Sequence, residues 1–165
     1  MRYLKHAALS AATGLAALLA CSSPASAAAL AGGDGPGDAE IIRLVARQTQ
    51  GQFVDVDGPG PTQGDEFVLT GNLFRGATQV GTYSQICTLT RTAPADEFDL
   101  QCAGDLAFPM GQITVQGRFN VTSAGPGDTQ LAITGGTGYF RTAHGFIRSV
   151  NVSDTESLLT IHLIR

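Results

Sequence analysis

The 165-residue chain has no tryptophan, three cysteines and one lysine, Lys5, and each scarcity narrows what it can be. With Lys5 and Arg2 confined to the first six residues, everything after residue 27 carries eight scattered arginines against fourteen acidic residues, a formal charge of −6. A surface so acidic, with no basic run, does not fit the electrostatic footprint of nucleic-acid binders, and no nucleic-acid partner is expected. Long apolar runs are also missing. The longest, Ala7 to Ala20, covers about 14 residues where a spanning helix needs about 20, so no membrane span is expected. Only two histidines, His144 and His162, follow residue 27, and neither has a second His or Cys at ligand spacing, so neither a metal nor another cofactor is expected.

Arg2 and Lys5, the apolar run and Ala25-Ser26-Ala27 together have the layout of a secretory signal, cleaved after Ala27. The expected organisation is a signal peptide over 1–27, a flexible Ala/Gly/Pro/Asp-rich leader over 28–39 and one domain over 40–165. Leu18-Leu19-Ala20-Cys21 resembles a bacterial lipobox, which leaves a second reading open: a lipid anchor at Cys21 on the outer face of a membrane in place of a secreted protein. Both readings put the domain outside the cytoplasm.

From Glu40 onward, short runs of Val, Ile, Thr, Phe and Leu alternate with Gly, Pro, Asp and Asn clusters, the pattern of an all-β sandwich or barrel. Nine strands are expected: 41–48, 52–55, 66–74, 79–91, 97–108, 112–122, 130–134, 145–152 and 158–164. Pro94-Ala95 lies midway between Cys87 and Cys102 and reads as a hairpin tip. Counted outward from it, Leu89 faces Leu100, Cys87 faces Cys102 and Tyr83 faces Leu106, which in an oxidising compartment predicts a Cys87–Cys102 disulfide. In the following strand Ile113, Val115, Gly117, Phe119 and Val121 share one face and polar residues the other. Closure into a barrel hides the edges of such strands and leaves a packed core or a small apolar cavity.

Gly111-Gln112-Ile113-Thr114-Val115-Gln116-Gly117 followed by Leu131-Ala132-Ile133-Thr134-Gly135-Gly136-Thr137-Gly138-Tyr139-Phe140 resembles the paired signature of the allene oxide cyclase and dirigent superfamily. Gly71-Asn72-Leu73-Phe74 upstream and Ala143-His144-Gly145 downstream fall in the same order, so the resemblance spans about residues 40–165. It implies a single eight-stranded antiparallel β-barrel, commonly trimeric, that binds an apolar small molecule and steers its cyclisation or stereoselective coupling by orientation. A non-catalytic carrier with the same cavity is the alternative, and a barrel packed solid a third. Where the plant cyclases carry a glutamate on the first strand, Leu44 to Gln48 has none, and where dirigent proteins carry arginine after the glycine turn this chain has His144.

Within that frame His144, Tyr139 and Arg141, grouped at the glycine turn, are the expected catalytic residues, and Tyr83, Phe98 and Phe119 the expected ligand-binding wall. Gly135-Gly136-Thr137-Gly138 lacks the Lys-Ser/Thr ending of a phosphate loop and reads as a sharp turn. Asp55, Asp57, Asp65 and Glu66 lack calcium-loop spacing and read as a solvated loop. Asn120-Val121-Thr122 and Asn151-Val152-Ser153 match the glycosylation sequon, but composition and signal look bacterial and the match carries no weight.

Overall fold

The computed structural model describes residues 39–93, 97–125 and 127–165; the expected signal peptide, Cys21, the expected leader up to residue 38 and the Pro94-Ala95 tip lie outside the described residues. Eight antiparallel strands close into one barrel: β1 (Glu40–Val54), β2 (Glu66–Arg75), β3 (Thr78–Ala93), β4 (Glu97–Phe108), β5 (Gly111–Val121), β6 (Asp128–Gly136), β7 (His144–Asn151) and β8 (Glu156–Ile164). Each strand pairs with the next, and β8 returns to β1 from Leu163 opposite Glu40 to Glu156 opposite Arg47. Among the described residues closure leaves no open sheet edge, which is how an all-β chain avoids edge-to-edge pairing with its neighbours.

The first two expected strands are one. Gly51 reads as a break, yet it continues β1 opposite Leu69, and the irregularity is a bulge between Gln48 and Gln50. A side chain at Gly51 would come within 2.4 Å of the Gln48 amide, so the glycine admits that amide rather than ending the strand.

The Cys87–Cys102, Leu89–Leu100 and Tyr83–Leu106 pairings all occur, and the two cysteines form a disulfide. Closer to the tip a bulge between Leu89 and Arg91 shifts the register by one, pairing Arg91 with Asp99. The shift sets a buried carboxylate on the outer surface. Asp99 is 3% exposed; Arg91 and Arg118 (2.5 Å) form ion pairs with Oδ2, and Asn120 donates to Oδ1 at 3.1 Å.

Asp65 is fully buried and accepts hydrogen bonds from the Thr62 amide (2.7 Å), the Val56 amide (3.0 Å) and the Thr62 hydroxyl, so it ties down the 55–65 loop. In sequence it reads as one more solvated carboxylate; its burial is what the loop's unpaired amides require. The Thr62 and Val56 amides hold the Asp65 carboxyl below its ordinary value, and Arg91, Arg118 and Asn120 hold Asp99 well below its own. Depressed carboxylates stabilise the fold above their unfolded pKa, near about 4, and that stabilisation drains as pH falls through the folded values. Urea unfolding is therefore expected to need less denaturant at pH 3 than at pH 6, with a shallower pH dependence in Asp99→Asn; a slope unchanged by that substitution contradicts the assignment.

Inside, side-chain size is graded along the barrel axis. Ile42, Leu44, Leu73, Ile113, Ile133, Ile161 and Leu163 fill one half, and Phe140 and Ala143 close that end from the short 3-10 turn Gly138–Phe140 and the residues after it. Each such large side chain contributes about 2 kcal/mol relative to exposure. The glycine turn is real: Gly138 has φ +58°, and a Cβ there would meet the Met110 carbonyl at 2.4 Å. Toward the other half the inward positions include the small residues Ala46, Ser149 and Ser157. No helix among the described residues is long and apolar enough to cross a membrane.

Candidate functional site

Small inward residues leave space, and in the second half of the barrel that space is a cavity of about 350 Å³. Its mouth lies at the end carrying the β1–β2, β3–β4, β5–β6 and β7–β8 connections, because its rim residues Ser153, Asp154 and Thr155 belong to the last of these, while Asn151 ends β7 and Thr129 lies at the start of β6. The deep wall is aliphatic, formed by Leu100, Leu106, Val115, Leu131, Ile147 and Leu159. Aromatic walls come from Phe67, Tyr83 and Phe119.

Tyr83 owes its position to a missing side chain. Gly71 is its partner on β2, and a Cβ there would lie 2.6 Å from the Tyr83 ring, so glycine lets the ring lie across the strand. Burial raises the Tyr83 phenol above its ordinary value. It therefore stays protonated through neutral pH and offers a ligand a hydrogen-bond donor rather than a base.

Polar groups sit above the apolar floor. Gln85 donates to Cys87 Sγ at 2.8 Å, and the Ser157 hydroxyl donates to Asn151 Oδ1, also at 2.8 Å; with Gln48 and Ser149 they form a neutral polar collar. Among the described residues no three His, Cys, Asp or Glu side chains gather where they could share a metal ion.

Of the expected ligand wall, Tyr83 and Phe119 line the cavity. Phe98 packs against the core without reaching it, because its partners Thr92 and Val121 set it beside the hairpin end. His144, Tyr139 and Arg141 stand apart from the cavity, at the plugged end. His144 opens β7 opposite Ile164 with Nδ1 3.1 Å from the Thr142 carbonyl oxygen, Tyr139 is half exposed under the Arg165 guanidinium (4.4 Å to the ring), and Arg141 is exposed. Phe140 and Ala143, both buried, lie between this group and the interior.

Gln48, Gln85 and Asn151 had a readable signal, since each is polar at an inward position of a strand whose other inward residues are apolar or small. Asp154 had none, because a connection carries no alternation.

The profile of the allene oxide cyclase barrel-like domain matches residues 44–163. Among solved structures, a pyocyanin demethylase is similar at 23% identity over 76% of this chain and 100% of its own, with a TM-score of 0.66. A pterocarpan synthase dirigent protein is similar at 18% identity over 76% and 92%, TM-score 0.56. A Diels-Alderase from Streptomyces koyangensis is similar at 15% identity over 74% and 64%, TM-score 0.58. At these identities the likeness is one of fold. No curated protein matches the sequence.

Proposed function

Because the chain belongs to the allene oxide cyclase barrel-like family, we propose that its barrel admits an apolar small molecule at the open end and steers that molecule's cyclisation or stereoselective coupling. The observation that carries this reading is the cavity itself: about 350 Å³, walled by Phe67, Tyr83 and Phe119 over an aliphatic floor, beneath a neutral polar collar. A barrel packed solid has no such space. Proteins that share the fold are a Diels-Alderase, a dirigent protein and a demethylase, whose chemistries differ while the barrel persists.

Steering needs little acid or base. A reactive chain held in one conformation loses the entropy that otherwise spreads it over many products, and walls of fixed shape supply that restriction. Tyr83 adds one donor where a carbonyl or developing oxyanion can be held.

Native mass spectrometry after exposure to an extract of the protein's own culture is expected to reveal a retained small molecule. Chiral chromatography of what that molecule becomes, with and without protein, then separates steering from carriage; a racemic product formed no faster leaves a carrier. His144→Ala, Tyr139→Phe and Arg141→Ala are each expected to change ligand affinity by less than about twofold, since Phe140 and Ala143 separate them from the cavity. A tenfold loss in any of them, with circular dichroism unchanged, restores the glycine-turn residues to the site.

The same proposal includes export, with Ala28 as the mature N-terminus, which N-terminal sequencing checks; a start at a lipid-modified Cys21 replaces secretion with anchoring. It also includes a homotrimer. Val150, Leu158, Val45 and Phe74 form an outward row across β7, β8, β1 and β2, with Leu158 47% exposed, a surface that neighbouring barrels would cover. Light scattering is expected to give three times the chain mass, and a monomer at micromolar concentration refutes it.

A further inference from the structure

The cavity's lining is one-sided in charge. Among the described residues twenty-three line it, and not one is lysine, arginine or histidine. The single carboxylate among them is Asp154, in the β7–β8 connection at the mouth.

Five of the eight arginines after residue 27 are engaged in ion pairs. Arg47 pairs with Glu156, Arg91 and Arg118 with Asp99, Arg148 with Asp128 and Arg165 with Glu40. Two of these pairs neutralise acidic residues next to the mouth, Glu156 at the start of β8 and Asp128 at the start of β6. Asp154 takes part in none of the ion pairs among the described residues and is exposed.

A carboxylate or sulfonate entering this cavity would lose its water and find no cation, with Asp154 repelling it at the entrance; desolvating an unpaired ion is among the costliest steps in binding. A neutral aromatic molecule meets only favourable faces in Phe67, Tyr83 and Phe119. A ligand whose one end is cationic gains further, because that end rests in water beside Asp154 while the rings are buried.

We infer, resting on the cavity reading above, that the site takes neutral or cationic aromatic molecules and excludes organic anions, with Asp154 at the mouth as the group that holds a cationic end. Free fatty acids and aromatic acids are thus outside its range.

Fluorescence titration of the full-length mature chain tests this with three probes of similar size: neutral anilinonaphthalene, its sulfonate, and the N-methylacridinium cation. The neutral probe and the cation are expected to bind, and the sulfonate to bind at least about tenfold more weakly than its neutral parent. Asp154→Asn is expected to weaken the cation about threefold more than the neutral probe and to flatten the cation's salt dependence. Sulfonate affinity equal to that of the parent, still lost on obstructing the cavity with Ser149→Trp, overturns the charge selectivity and leaves the cavity as the site. Cation binding indifferent to Asp154→Asn removes that residue's role. Probe binding that survives Ser149→Trp overturns the cavity reading itself and the inference with it.

Discussion

Replacing Cys87 and Cys102 together with alanine lowers the unfolding free energy by about 3 kcal/mol, the chain-entropy value for a cross-link closing a loop of this length, and brings the melting temperature down by about 12 °C. The bond joins neighbouring strands 15 residues apart in sequence, so most of its effect lies in restricting the unfolded chain. Both cysteines are buried, at 2% and 0% exposure, and alanine leaves part of their volume empty, which adds to the loss. Cys87 also lines the cavity, and the Gln85 amide rests on its sulfur, so ligand affinity should weaken along with stability. Thermal melts of the oxidised protein, the reduced protein and the double variant check this. A fall of this size on reduction alone assigns the effect to the cross-link, with any further fall in the double variant due to the emptied volume; a drop of less than about 1 kcal/mol on reduction means the unfolded chain is already restricted without it.

Ser149→Trp abolishes measurable binding, an expected loss of at least about 100-fold in affinity, while leaving the barrel folded. Ser149 faces inward on β7 between Ile147 and Asn151 and is partly exposed, so an indole has room to enter the cavity without displacing a packed neighbour. The substitution removes the space the ligand needs and no charge or catalytic group. Titration with a neutral aromatic probe, next to a circular dichroism spectrum, gives the readout. Retained affinity in a folded variant places the ligand elsewhere on the molecule.

Much of the fold was legible because alternation is a local property. On β5, Ile113, Val115, Gly117, Phe119 and Val121 face inward as their spacing implies, and the opposed cysteines align β3 with β4. Errors arose where one residue interrupts the alternation. Gly51 looks like a strand end and is a place where the Gln48 amide comes close, and the bulge before Arg91, which no residue there announces, pairs it with Asp99 in an outer ion-pair cluster. Such interruptions are decided by what lies across the sheet, which the strand's own residues do not state.

The site was less legible for the same kind of reason. Alternation tells which face of a strand looks inward and says nothing of the height at which a residue stands along the barrel axis. Tyr83 and Phe119 are inward on any reading, and they line the cavity. His144, Tyr139 and Arg141 were grouped by their nearness to a glycine turn, and the barrel sets them together at the end away from that cavity.

The sequence by itself determined that the chain is all-β, that two strands are locked by Cys87 and Cys102, and that residues 44–163 carry the features of one barrel family. Those properties reside in short stretches: a period of two, a pair of thiols equidistant from a turn, glycines where no side chain fits. Only the tertiary structure decided which end opens. That depends on the summed bulk of inward side chains at each level of eight strands, with Leu73, Ile113, Leu163 and Phe140 filling one end and Ala46, Ser149 and Ser157 leaving space at the other. No single strand contains that sum; it exists once β8 has closed on β1.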